Sequence, residues 1–244
     1  MTNTPWIVSN QSHPSNRLFC FPYAGGGANS IYRTWQQILP PGVEVCPVLL
    51  PGREMKLQQP AYTDTAALVP QLAQQLLPYM NVPFQFFGHS MGALLSFELT
   101  RELRRQRLTL PTRLFVSAHR APQLPRRSEP VHSQPDAEFI HSLRTLGGTP
   151  EAVLQNEELL QLFLPTLRAD FTLCETYNYQ PEEPFNLPIA VFGGQTDKDI
   201  PASDLAAWQA QSTRPITQQM FQGGHFYLHN QQAQLLQAIQ PYYR

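Results

Sequence analysis

Hydrophobic positions along the chain follow two rhythms that take turns. Short, densely apolar or aromatic runs bounded by Pro or Gly occur at 17–22, 43–50, 84–87, 114–118, 189–192 and 216–221. Such runs suit buried strands. Between them apolar residues recur every three or four positions, the spacing of one helix face. This holds for Ile31, Trp35, Ile38 and Leu39 within 30–39, and for Leu68, Leu72 and Leu76 within 64–80, where Pro70 lies early in the helix or kinks it. It holds again for Ala93, Leu94 and Phe97 in a segment running to about 107, and a final helix covers roughly 230–240. Alternating strands and helices predict an α/β fold, with a mostly parallel sheet covered by helices on both faces.

The alternation stops between about 121 and 187, a stretch too long for one crossover. It opens with Pro122, Pro125 and Pro130 and then shows helical spacing over 136–146 and 157–171. A self-structured insertion of this length beside the strand ends predicts a lid or substrate-binding cap. The plainer alternative is a fixed structural excursion. The expected organisation is one domain over 1–244 with this insertion, since 244 residues suffice for a single large core.

Composition narrows the function classes. Charged residues make up only 14% of the chain and the net charge is near −1, which gives no reason to expect nucleic acid or an anionic membrane as partner. No stretch approaches the roughly 20 apolar residues of a membrane span. The first fourteen residues lack a basic region followed by an apolar run, so no export signal is expected. Cys20, Cys46 and Cys174 are odd in number and widely spaced; they read as reduced thiols of a cytoplasmic protein. The arginines at 101, 104, 105 and 107 read as a solvated helix end that complements the helix dipole, with a docking patch as the alternative.

The candidate chemistry sits at Gly88-His89-Ser90-Met91-Gly92, between the aromatic run at 84–87 and a helix. Strand, G-x-S-x-G, helix is the context of a nucleophile elbow, in which a sharp turn lifts the serine above the sheet. The turn would also place the Met91 N–H at a helix N-terminus, where developing negative charge is favoured. A serine needs a base and the base an orienting acid, in the chain order Ser, acid, His for a sheet of this kind. Asp197 follows the run at 189–192 and is the expected acid, with Asp199 as the alternative; His225 follows Gly223-Gly224 after the last strand. Of the other histidines, His13, His132 and His141 lie in polar or insertion segments. His119 has no aligned acid, and His89 should point away from the serine. His225 and His229 share H-x-x-x-H spacing, but no Glu follows the first and no third ligand is suggested, so neither metal nor cofactor is expected. Gly25-Gly26-Gly27 follows the first strand without the G-x-G-x-x-G spacing of a dinucleotide fingerprint.

Six segments together carry a family likeness: FPYAGGGA at 21–28, LPGRE at 50–54, GHSMGALLSFEL at 88–99, SAHRAP at 117–122, GGHFYL at 223–228, and the aromatic-rich helix through Trp35. From about 17 to 240 the chain resembles the type II (editing) thioesterases that accompany polyketide and nonribosomal peptide synthetases. The likeness implies an α/β-hydrolase core with a helical lid and Ser90, Asp197 and His225 as triad. It implies the backbone N–H groups of Ala24 and Met91 as oxyanion hole, and an acyl or aminoacyl group on the phosphopantetheine arm of a carrier-protein domain as substrate. The family often has Asp-Pro where this chain has Asp197-Lys198. A small-ester hydrolase or acyltransferase on the same fold is the alternative activity. Within the insertion, Phe139, Leu143, Leu159, Leu162 and Phe163 recur at helical spacing and are expected to line an acyl channel, or else only to pack the lid. The chain is expected to act as a monomer.

Overall fold

In a computed structural model of the protein, which describes residues 6–9 and 13–243, the apolar runs form one six-stranded sheet. Its strands are β1 (Asn16–Phe21), β2 (Val43–Pro47), β3 (Phe84–His89), β4 (Leu114–Ser117), β5 (Ile189–Gly194) and β6 (Thr217–Phe221). They lie in the order β2-β1-β3-β4-β5-β6, and every neighbouring pair is parallel. The reading of the first fourteen residues as lacking an export signal falls largely outside the described residues.

Each strand divides its side chains between two cores, as a pleat of period two requires. In β1, Phe19 and Phe21 join one apolar cluster, whereas Leu18 and Cys20 join the cluster on the opposite face. The first cluster is covered by α2 (Thr65–Leu76) and α3 (Met91–Arg105). The second is covered by α1 (Ala28–Tyr32) and, at the chain's end, by α9 (Gln232–Ile239). Asp64 starts α2 by accepting a hydrogen bond from the Ala66 N–H, and Pro70 is accommodated inside the helix.

The expected helix over 30–39 is two pieces, α1 and a one-turn 3₁₀ segment at Trp35–Gln37. The Gln36 amide explains the break. It accepts from the Val45 N–H at 2.8 Å and donates to the Val43 carbonyl at 2.9 Å, which covers the open edge of β2. The arginine cluster also differs from a solvated helix end. Arg101 is fully buried, and it, Arg104 and Arg105 converge on Glu182, which tethers the 180–183 segment to α3. Burial works against the Glu182 charge, but hydrogen bonds from Arg104, Arg101 and Arg105 hold its pKa down at about 2.

Between β4 and β5 the chain makes an excursion of three helices, α4 (Asp136–Leu146), α5 (Glu151–Leu154) and α6 (Glu157–Glu175). It has its own small core of Phe139, Leu143, Leu154, Leu160, Leu164 and Leu167. After β5 come α7 (Ala202–Ala206), then β6, and α8 (Tyr227–Asn230) ahead of α9.

Candidate active site

Strand order reverses between β1 and β3, because the chain leaves β1 toward β2 on one side and returns to β3 on the other. Loops at the carboxyl ends of strands diverge at such a point and leave a crevice. The loops that flank it are Tyr23–Gly27 and the turn at Ser90, the two segments that the sequence singles out.

Ser90 stands at φ 53°, ψ −117°, backbone that residues with side chains rarely adopt. The turn is held where β3 meets β4: the Ser90 N–H donates to the Ser117 carbonyl at 2.8 Å. Glycine is required on both sides of the serine. A Cβ on Gly88 would lie 2.1 Å from the Gly92 carbonyl oxygen, and one on Gly92 would lie 2.2 Å from the Phe21 carbonyl oxygen. Strand and helix touch at the first, helix and β1 at the second.

His225 reaches the serine from the loop after β6. Its Nδ1 lies 2.8 Å from Asp197 Oδ2 and its Nε2 lies 3.0 Å from Ser90 Oγ. A carboxylate only accepts, so Nδ1 carries the proton and Nε2 accepts from the serine hydroxyl. Asp197 is buried, and its Oδ1 accepts from the N–H groups of Asp199 (3.0 Å) and Ile200 (3.1 Å), which leaves Oδ2 for the imidazole. Asp199 is exposed and meets Asp197 only through its backbone. Such a chain can draw the proton from Ser90 and stabilise the resulting imidazolium.

Beneath the elbow, His89 is fully buried, with Nδ1 at 2.8 Å from Ser117 Oγ, and Ser117 Oγ lies 2.6 Å from the Tyr227 hydroxyl. Burial, together with the nearby His225 and His229, pushes the His89 pKa well below its usual value. Burial and Arg120 likewise push His119 down to about 3. Both imidazoles are therefore neutral near pH 7. Among the described residues no cluster of His, Cys, Asp or Glu is arranged to hold a metal ion.

A cavity of about 500 Å³ opens over Ser90 between the sheet and the excursion, within the usual range for a small-molecule site. Ala24 and Met91 line it together with Ser90 and His225. Met91 heads α3, so its N–H belongs to the first turn, which has no partner within the helix. Of the five insertion residues expected to line an acyl channel, Leu143 alone reaches the cavity. Phe139 is buried against Phe171, Phe163 packs on the excursion's own core, and Leu159 and Leu162 are 38% and 46% exposed. The buried face of α6 is Leu160, Leu164, Leu167, with Phe171 one turn further on at the cavity. The expected stripe lay one position away from it. Helical spacing in a helix with apolar residues on several faces does not say which face turns inward.

Of the further lining groups, Glu175 has no signal in the sequence, whereas Tyr23 lies within FPYAGGGA and Arg126 and Arg127 are the basic pair at the start of the insertion, with a role in docking a carrier domain as their expected use. Glu175 forms part of the wall, where burial works to raise its pKa. Hydrogen bonds from His132, Val131 and Arg126 outweigh burial and hold it below the usual value. Tyr23 lines the floor and its hydroxyl meets His229 Nε2 at 3.0 Å. Arg126 and Arg127, at the excursion's entrance, pair with Glu175 and Asp204.

A parallel sheet with helices on both faces, a serine at a strained strand-to-helix turn, and an acid and a histidine after the last two strands define an α/β-hydrolase. Comparison with known proteins narrows this class. A family model described as a thioesterase domain matches residues 16–243. The chain is 50% identical over 240 residues to the Brevibacillus parabrevis protein named linear gramicidin dehydrogenase LgrE, covering 96% of this chain and 91% of that one. It is 44% identical over 236 residues to the gramicidin S biosynthesis protein GrsT of Aneurinibacillus migulanus, covering 96% and 92%. Among solved structures, the type II thioesterase BorB from the borrelidin biosynthetic cluster superposes with a TM-score of 0.88 at 36% identity, covering 98% of both chains. The chain belongs to the thioesterase family, in its type II branch.

Proposed function

We propose that this enzyme releases acyl or aminoacyl groups held as thioesters on the phosphopantetheine arm of carrier-protein domains, and so clears stalled intermediates from a polyketide or nonribosomal peptide synthetase. Ser90 Oγ attacks the thioester carbonyl while His225 Nε2 takes its proton, with Asp197 holding the imidazole. The tetrahedral oxyanion forms at the N–H groups of Ala24 and Met91, each contributing roughly 3–4 kcal/mol of transition-state stabilisation. Its collapse breaks the C–S bond, and the departing pantetheine thiolate takes the proton from His225 and leaves as the thiol. Water, deprotonated by the same imidazole, then frees the acid and restores Ser90. The excursion α4–α6 serves as the lid of the acyl chamber. The enzyme acts as a cytoplasmic monomer, needs no metal or cofactor, and addresses neither nucleic acid nor membrane. Among the described residues no helix is long and apolar enough to cross a membrane.

The observation that carries this reading is the unbroken hydrogen-bond chain from Ser90 through His225 to Asp197 at the cavity floor, in a chain of the thioesterase family. The word dehydrogenase in one relative's name does not transfer. The glycine loop lacks the dinucleotide spacing, and the Glu54 carboxylate accepts from the Asn29 and Ser30 N–H groups at the start of α1, where a pyrophosphate would have to bind.

Remote contacts with a carrier domain add binding energy that a free thioester lacks. Steady-state kinetics therefore test the proposal. kcat/KM should be higher for an acylated carrier protein than for the same acyl group on coenzyme A or a pantetheine mimic, and Ser90→Ala should fold yet lose several orders of magnitude. Equal kcat/KM for the three donors removes the carrier claim. A folded Ser90→Ala protein with normal turnover removes the mechanism.

A further inference from the structure

LPGRE at 50–54 forms no part of the hydrogen-bond chain at Ser90, yet its two charged residues grip the glycine loop that carries Ala24 and the helix it runs into. Glu54 holds the start of α1, into which the loop runs, through the Asn29 and Ser30 N–H groups at 3.3 and 3.0 Å. Arg53 holds the loop's middle through a residue on α6. Its Nη1 and Nη2 donate to the two oxygens of Asp170, each at 2.7 Å, and both side chains are almost fully buried. Asp170 Oδ2 also accepts from the Gly25 N–H at 2.7 Å, one residue beyond Ala24.

The grip on α6 does not rest on that pair alone. The Thr166 hydroxyl donates to the Gly52 carbonyl at 2.6 Å. Leu167 presses on the glycine loop so closely that a Cβ on Gly25 would lie 2.3 Å from its Cδ2. Asp170 lies four residues after Thr166 and three after Leu167, which puts all three on one side of α6. That face therefore touches both loops at once.

We infer that Asp170 and Arg53 are positioning residues for the oxyanion hole, and that the Ala24 donor is correctly aimed only while α6 is seated on the core. The Tyr23 carbonyl accepts from the Gly26 N–H at 2.9 Å, which closes a turn around Ala24 and Gly25, and Arg53 Nη1 reaches the Gly26 carbonyl at 3.5 Å; within that turn the Gly25 N–H is fixed by a carboxylate that belongs to the excursion. Withdrawal of α6 carries the carboxylate away and frees the peptide next to Ala24. Seating of the excursion over bound substrate and completion of the hole are then a single event, which restricts the strained, reactive geometry to the occupied site. The inference rests on the Ser90 acyl-enzyme reading given above.

The test replaces the pair by apolar residues of similar size, Arg53→Met with Asp170→Leu, since exchanging both members of a buried ion pair is often neutral for stability. Turnover is followed with an acyl-N-acetylcysteamine thioester. Binding is followed with an alkyl boronic acid, whose adduct on Ser90 places a tetrahedral oxygen in the hole, and with a thioether analogue that mimics only the ground state. The expected result is a kcat lower by about 10²–10³-fold, the usual cost of one such donor, with a comparable loss of boronate affinity. The thioether Kd should stay within about threefold, and the low-field NMR proton between His225 and Asp197 should persist. A folded double variant with kcat and boronate affinity within threefold of the parent overturns the inference, as does a uniform loss of thioether and boronate binding. If the double variant does not fold, Asp170→Asn carries the test: its single oxygen faces three donors, so kcat should fall at least tenfold with KM unchanged. An unchanged kcat there, or failure of both variants to fold, reduces the pair to structural glue. Boronate inhibition of the parent enzyme tests the serine mechanism separately, so the two ideas fail in distinguishable ways.

Discussion

Gly92→Ala concentrates the strain of this site in one methyl group. The new Cβ would stand 2.2 Å from the Phe21 carbonyl oxygen, 2.7 Å from the Phe21 carbonyl carbon and 2.9 Å from the Pro22 oxygen. Ordinary carbon–oxygen contacts begin near about 3.3 Å, so something must move by roughly 1 Å. All three atoms are backbone and cannot rotate aside. Phe21 is held by its register with Gly88 in β3, and its carbonyl accepts from the Tyr32 hydroxyl at 2.7 Å. Overpacking of this kind belongs at the upper end of its usual range, about 3 kcal/mol. For a chain of this size that lowers Tm by about 6–12 °C. Activity should suffer more, because the displaced atoms lead into Ala24 on one side and Met91 on the other. A misplacement of about 1 Å costs on the order of 10²-fold in rate. Gly147→Ala is the control: its Cβ would meet nothing within 4 Å, although φ is +72°, so only the conformational cost of about 1–2 kcal/mol applies and kcat should hold. Thermal melts and steady-state turnover of a soluble thioester read both quantities. A Gly92→Ala protein with Tm within about 3 °C and kcat within about threefold of the parent refutes the reasoning.

Asp197→Asn should lower kcat at saturating substrate by up to about 10⁴-fold through the wrong imidazole tautomer, whereas Asp199→Asn should stay within about threefold; the reverse order reassigns the acid. Below pH 6.5 the unfolded chain binds protons at His89 and His119 that the folded chain, with both pKa values depressed, refuses. Their contribution to stability is therefore complete above pH 6.5 and falls on acidification by up to about 1.4 kcal/mol per pH unit for each, so a urea midpoint that is flat between pH 7 and 5 contradicts the assignment. Leu143→Ala should shift acyl chain-length preference, while Leu162→Ala on the exposed face should change neither preference nor stability by more than about 0.5 kcal/mol; competition between acyl thioesters of different length separates the two.

All six strands and the excursion's two longer helices are legible in the sequence because each signal is local. An aromatic run between Gly and Pro can hardly be anything but a buried strand, and α4 begins and ends where the spacing over 136–146 predicts. Ser90 and His225 are legible for a related reason: glycines mark the turns that present them, and a turn is written within a few residues. Position after β5 favours Asp197 as the acid but leaves Asp199 as the alternative. Both lie in one loop, and the choice depends on how two backbone N–H groups fold back onto Asp197. The stripe Leu159, Leu162 and Phe163 expected from spacing is not the face of α6 that turns inward, since Leu160 and Leu164 beside it are apolar as well. The decision comes from the Gly25 and Gly52 loops, more than a hundred residues away, which take Thr166, Leu167 and Asp170 as partners. The α3 arginines look like a solvated helix end in the sequence because their partner, Glu182, is about 80 residues distant. Spacing along a chain encodes periodicity and turns; the pairing of buried charges and the wall of a cavity arise only where distant segments meet, and there the tertiary structure decides.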